Sequence, residues 1–247
     1  MSSLPNITPS AEEETASALL EDQVNAYKRD GFIIIEDVLQ GDELRRVQAA
    51  FDKAQARTRV GWEEGRAQGK GVSENGEYYA SGTWYARKYF DIYPLHLLEQ
   101  DDAAVEMIAH PRLLPFLSAT VGADVQAATI QLRVLEPQTA ADAQGEGGYV
   151  NWHRDHSNDE AWRYLGRPLN TKVIVYLTDV GPDEGCTACV PGSHLFEHRP
   201  DHTLYKGMGG GENQATKVKD QRDMPGMVAA TAKAGSAFLF NTRLWHT

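Results

Sequence analysis

NTKVIVYLTDVGPDEGCTACVPGSH, residues 170–194, begins as a strand and ends in turns. Its first part, NTKVIVYLTDV, is rich in β-branched residues, which suit a half-buried pleated surface. GPDEG and VPGS then punctuate the chain. Working outward, SAFLFNTRLWH (236–246) holds one or two more strands, and VQAATIQLRVLEP (125–137) alternates as a strand does. GEGG and KGMGGGEN supply further turn signals between them. The earlier part of the chain reads differently. Val24 and Tyr27 suit a short helix that Gly31 breaks, and FIII (32–35) suits a buried strand. From Asp42, a possible cap, Leu44, Val47, Ala50, Phe51 and Ala54 recur at helical spacing. Residues 61–83 are polar and glycine-rich and read as loop. Residues 101–122 read as two helices broken at Pro111 and ended by Gly122. Helices first and short strands later favour an α+β domain with a mainly β core, a sandwich or barrel, as its catalytic body. Residues 1–20 are expected to form a disordered or loosely helical lead, with 21–247 as a single domain.

Composition narrows the function. The chain has 247 residues, 41% of them apolar, and a formal net charge of −11. Nucleic acids and anionic membranes need a basic field, so neither is an expected partner. No apolar run reaches membrane-spanning length, and the N-terminus lacks the pattern of a signal peptide. Two cysteines imply no disulfide framework. A soluble, cytoplasmic protein acting on a small molecule is the expectation, and the oligomeric state is not legible. Cys186 and Cys189 form a CxxC, but Val-Pro-Gly follows, so no helix N-terminus can lower a thiol pKa there.

NWHRDHSNDE (151–160) concentrates the candidate chemistry. Its His-Arg-Asp lacks the Asn that a kinase catalytic loop places five residues later, since position 160 is Glu. In a strand, residues i and i+2 share a side, so His153 and Asp155 would present an imidazole and a carboxylate together. With one distant histidine they would form a two-His, one-carboxylate triad that leaves open positions on iron(II). A hydrogen-bonded polar loop is the competing reading. Among the remaining histidines, His96 and His110 sit in the helical half, and His198 and His202 in a charged loop. His246 follows an apolar strand and is the best-placed partner.

In order along the chain, five segments carry a resemblance. They are Asp30-Gly31-Phe32-Ile33, His110-Pro111 with Val121-Gly122, Trp152-His153-Arg154-Asp155, Thr178-Asp179 through Val190-Pro191-Gly192-Ser193-His194, and Gly235 through Phe240 with His246. Together they resemble the phytanoyl-CoA dioxygenase family of Fe(II)- and 2-oxoglutarate-dependent oxygenases over residues 24–247. The resemblance implies a double-stranded β-helix (a cupin-like jelly roll) with N-terminal and flanking helices. It implies Fe(2+) held by His153, Asp155 and His246, with 2-oxoglutarate and O2 as cosubstrates. Hydroxylation of an unactivated C–H bond would follow, with release of succinate and CO2. By the same resemblance Gln131 and Arg133 would line the cosubstrate pocket, Trp152, Trp162 and Tyr176 would shape the cleft, and His194 would be structural. Asp155 argues against halogenation, which needs a small residue at that position.

The family places an arginine shortly after the distal histidine to hold the far carboxylate of 2-oxoglutarate, a task that suits a guanidinium. The sequence stops at Thr247. Either it is truncated, the favoured expectation, or Arg133 or Arg243 substitutes. Strand alternation would turn Arg243 away from His246, so Arg133 is the better substitute. Residues 196–230 form a long polar stretch that suggests a lid. Arg87, Lys88, Arg154 and Arg163 are expected on the surface. Two rival functions stay open: a non-catalytic jelly-roll binding or sensing protein, and a zinc- or manganese-dependent hydrolase or isomerase on a similar barrel.

Overall fold

The computed structural model describes residues 11–67, 89–92, 98–99, 101–128, 130, 132–135, 152, 154–155, 170–182, 184–195 and 224–247. The element order is α1 (Ala11–Asp30), β1 (Phe32–Ile35), α2 (Gly41–Ala67), β2 (Tyr89–Ile92), α3 (Ala103–Ile108), α4 (Leu114–Thr120), β3 (Leu132–Leu135), β4 (Thr171–Val175), β5 (Ala188–Cys189), a 3-10 turn (Ser193–Leu195), β6 (Val228–Ala229) and β7 (Ala237–Asn241). This is an α+β arrangement. Helix α1 starts at Ala11, inside the stretch expected as a loose lead, and stops where Gly31 takes φ +84°. Helix α2 begins at Gly41, so Asp42 lies in its first turn, pairing with Arg45, and is not the cap. It continues through Gly61 to Ala67, so 61–67 of the expected loop are helical, and 68–83 lie outside the described residues. Pro111 does separate two helices, α3 and α4.

The central sheet has the order β1-β7-β4, all antiparallel, with β7 in the middle. Alternation gives it two distinct faces. Ile33, Ile35, Val173, Val175, Ala237 and Leu239 face the helices, where they pack with Val24, Tyr27, Val47, Phe116 and Leu117. Tyr27 closes this layer, edge-on to Phe116 at 5.3 Å, while its hydroxyl bonds the Thr171 hydroxyl at 2.8 Å. Leu239, fully buried, contributes about 1.5–3 kcal/mol, and the partly buried Ile33, Ile35, Val173 and Val175 less.

The opposite face carries Phe32, Ile34, Ile174, Tyr176, Phe238 and Phe240, packed with Cys189, Ala230 and Leu244. Phe238 and Phe240 stack with centroids 5.0 Å apart. Two smaller sheets accompany the central one, β2-β3 and β5-β6. After β7 the chain turns at Thr242–Leu244 and runs against β5: Val190 N donates to Trp245 O (2.9 Å), and Ala188 and Thr247 exchange bonds of 3.1 and 2.9 Å. Among the described residues of the strand expected over 125–137, only Leu132–Leu135 are strand, β3, and β2 was not foreseen at all. Among the described residues, no helix is long and apolar enough to cross a membrane.

Candidate metal centre

The Pro191–His194 turn holds the site-bearing segments in place. Gly192 N donates to Asp30 O at 2.8 Å, tying the turn to the end of α1. The His194 ring lies against Gly31 and reaches Lys28 O at 3.2 Å. A Cβ on Gly31 would overlap His194 Nδ1, so the glycine is needed both for its left-handed φ and for this approach. Burial pushes the His194 pKa down to about 4, and the nearby Arg243 and Arg154 charges add to the effect. A neutral, fully buried imidazole is therefore structural, as the sequence suggests.

Ser193 secures both sides of the site. Its hydroxyl accepts from Trp245 N at 2.9 Å, one residue before His246. Its carbonyl accepts from an Arg154 Nη at 2.8 Å, one residue before Asp155. Arg154 is 5% exposed, and its guanidinium sits 5.1 Å from the Trp245 ring centroid. The expectation of a surface arginine is thereby corrected: Arg154 faces inward, toward the Ser193 carbonyl and the Trp245 ring.

Asp155 is pinned by its own backbone, N donating to Thr242 O at 3.0 Å. This brings its Oδ2 to 3.5 Å from His246 Nε2. His246 Nδ1 lies 2.8 Å from Leu244 O. A carbonyl can only accept, so Nδ1 carries a proton, and Nε2 is the ring nitrogen directed at Asp155. The ring rests on Phe240, centroids 4.7 Å apart, and its backbone bridges to Cys189. Two donors each about 2.1 Å from a first-row ion stand roughly 3.0–3.5 Å apart, so this separation fits a shared metal. Lys172, projecting from β4 on the same face, places Nζ 2.9 Å from the same Asp155 Oδ2.

The other expected residues distribute as follows. His153, Gln131 and Trp162 lie outside the described residues, as do 196–223 of the expected lid. Among the described residues no three His, Cys, Asp or Glu side chains converge. Trp152 is fully buried in a cluster with Ala188, Val190, Met224 and Trp245, an environment of core. Tyr176 is half-buried on the site-bearing face, and burial raises its pKa. Arg133 is exposed on β3, in another sheet, opposite Asp91. Arg243 is buried in the turn after β7, where Asn241 Oδ1 accepts from its N at 2.9 Å. Alternation could not place it, because the strand has ended. Cys189 is buried and its thiol is pushed up to about 12 by desolvation, so it is no redox nucleophile at neutral pH. His110 is buried and meets Glu43 at 3.2 Å. Lys172, Ser193 and the inward role of Arg154 were missed. For Lys172 the signal was present: it is the lone charge in phase with Ile174 and Tyr176.

A turn brings a histidine and an aspartate together beside a sheet that helices cover on its other face, and this arrangement of helices and sheet recurs in solved structures. The solved structure of the non-heme alpha ketoglutarate dependent carbocyclase SnoK from nogalamycin biosynthesis superposes with a TM-score of 0.57 at 18% identity, over 92% of this chain and 76% of that one. AviO1 from Streptomyces viridochromogenes Tue57 gives 0.52 at 21% identity, over 92% and 85%. This chain shares their fold. It belongs to the phytanoyl-CoA dioxygenase (PhyH) family, which matches residues 27–247. Curated relatives include an ectoine dioxygenase of Nocardia farcinica, 22% identical over 235 residues, covering 91% of this chain and 70% of the relative. Another is the ectoine dioxygenase of Bordetella parapertussis, 23% identical over 246 residues, covering 95% and 71%.

Proposed function

We propose that this protein is an Fe(II)/2-oxoglutarate-dependent dioxygenase that hydroxylates an unactivated C–H bond of a small organic substrate, with release of succinate and CO2. Its iron ligands in this reading are His153, Asp155 and His246, on a double-stranded β-helix formed by one domain over residues 21–247, working in the cytoplasm. Family membership supports the cofactor set of Fe(2+), 2-oxoglutarate and O2. The observation that carries the site is the 3.5 Å approach of Asp155 Oδ2 to His246 Nε2, with the Nδ1 proton committed to Leu244 O.

Bound iron supplies oxygen activation coupled to oxidative decarboxylation of the 2-oxo acid. The chain's own residues prepare for that. Leu244 O fixes the His246 tautomer and ring angle. Thr242 O fixes the Asp155 backbone, and the Phe240 ring supports the imidazole and keeps water from its face. Arg154 and Ser193 hold the two ligand segments to one turn, so their separation is built in before metal arrives.

The test is spectroscopic. Fe(II) and 2-oxoglutarate are added without oxygen, and the visible charge-transfer band of the chelate is recorded. The wild-type chain is expected to show the band, and Asp155→Ala, His246→Ala and His153→Ala to lose it. A band of full intensity in any of these variants removes that residue from the ligand set.

A further inference from the structure

Lys172 occupies an unusual position. It belongs to the β4 face whose other members, Ile174 and Tyr176, are packed in the aromatic cluster. Its cross-strand partner is Phe240, and its Nζ lies 6.0 Å from that ring's centroid. An ammonium on an apolar face is costly unless it finds an anion. Here the anion is Asp155 Oδ2, at 2.9 Å, the same oxygen that faces His246 Nε2 at 3.5 Å. Lysine and a metal held by Asp155 and His246 would therefore seek one atom. An ammonium and a dication on one carboxylate oxygen repel strongly. Lysine has a flexible four-carbon stem, and this one is 42% exposed, so it can leave where a rigid group could not. Once it leaves, the ammonium would remain within reach of another anion bound beside Asp155. Of the two arginines considered for the cosubstrate, Arg133 lies on a separate sheet, and Arg243 is buried in the turn between the residues that anchor Asp155 and His246.

We propose that Lys172 is a displaceable counter-cation: it pairs with Asp155 in the metal-free protein and, when a metal takes Oδ2, transfers its charge to a carboxylate of the acid cosubstrate. This rests on the reading of Asp155 and His246 as metal ligands. No bond is made or broken, so the exchange is one of ion-pair partners. It makes two predictions of opposite sign for one substitution, which a lysine serving only the fold cannot produce.

Mn(II) serves as the probe, since it can replace Fe(II) without oxygen chemistry. Calorimetry measures Mn(II) binding to the metal-free chain, then 2-oxoglutarate binding to the Mn(II)-loaded chain. Lys172→Met is expected to bind Mn(II) about tenfold more tightly and 2-oxoglutarate about tenfold more weakly, the scale typical of groups adjoining a metal ligand. Lys172→Arg keeps the cation but holds Asp155 more rigidly, so it is expected to show no gain in Mn(II) affinity. If Lys172→Met does not fold, judged by circular dichroism, Lys172→Gln carries the same test. Weaker or unchanged Mn(II) binding in the neutral variant overturns the proposal, as does unchanged 2-oxoglutarate binding. Asp155→Ala separates the two layers of the argument. If it binds Mn(II) as tightly as wild type, the ligand reading itself fails. If it loses Mn(II) while Lys172→Met shows no gain, only the exchange fails.

Discussion

The two faces of the β1-β7-β4 sheet are built from alternate residues of the same strands, yet they do different work. The face toward the helices is aliphatic from edge to edge, with Ile33, Leu239 and Val173 in one cross-strand row and Ile35, Ala237 and Val175 in the next. The other face is aromatic in its middle, Phe238 beside Phe240, and becomes polar at one end, where Lys172, Asp155 and His246 meet. A single strand, β7, serves both: Leu239 holds the layers together and Phe240, its neighbour, supports the candidate ligand. The difference teaches that stability and chemistry here are separated by side-chain direction and not by position along the chain.

That separation can be broken from the helix side first. Leu239→Ala leaves a cavity at a fully buried position and is expected to cost about 2–5 kcal/mol of stability. Denaturant unfolding should show the loss, while Mn(II) affinity of the folded fraction stays unchanged. A parallel loss of affinity would show that the faces are coupled. Acid gives the next effect. His194 has a folded pKa of about 4 against an unfolded value near 6.5, so between these values the unfolded chain binds more protons. Its contribution is intact above pH 6.5 and is lost as pH falls toward 4, by about 3 kcal/mol in all. The His194 ring resonance should remain that of neutral imidazole at pH 5; titration near 6.5 would show that the turn is more open than its packing. The smallest effect comes from the site side. Phe240→Leu conserves most of the packing and should cost about 1 kcal/mol, yet it removes the ring beneath His246. Mn(II) binding should weaken more than stability does, and the reverse ordering would contradict the division of labour.

How much of this was legible depends on what set each feature. FIII, NTKVIVYLTDV and SAFLFN announce strands because β-branched and aromatic residues run together, and β1, β4 and β7 lie within them. YFDI of β2 offers only four residues, too few for a period to show, and it is a strand because β3 pairs with it. VQAATI alternates as well as any strand, but only Leu132–Leu135 finds a partner among the described residues. Gly61 suggests an end to α2, yet the helix runs on to Ala67. At the site, His246 was legible from the strand before it and Asp155 from its spacing to His153. Arg154 was not, because its burial depends on Ser193 O, a backbone atom 39 residues away whose position no local pattern encodes. Arg243 was misdirected for a related reason: alternation was carried past Asn241, where the strand stops.

The central place of β7 also governs how the protein is made. Ile35 waits for Ala237, its partner more than 200 residues later, and β4 needs the same strand. At ribosomal rates of about 5–20 residues per second, roughly 10–40 s separate the emergence of β1 from that of β7. During that interval Phe32 to Ile35, joined for roughly its last third by Thr171 to Val175, have their pairing groups unmet, the condition in which nascent chains adhere to one another. Whatever shields these two segments until the strand between them is synthesised therefore bears on native yield.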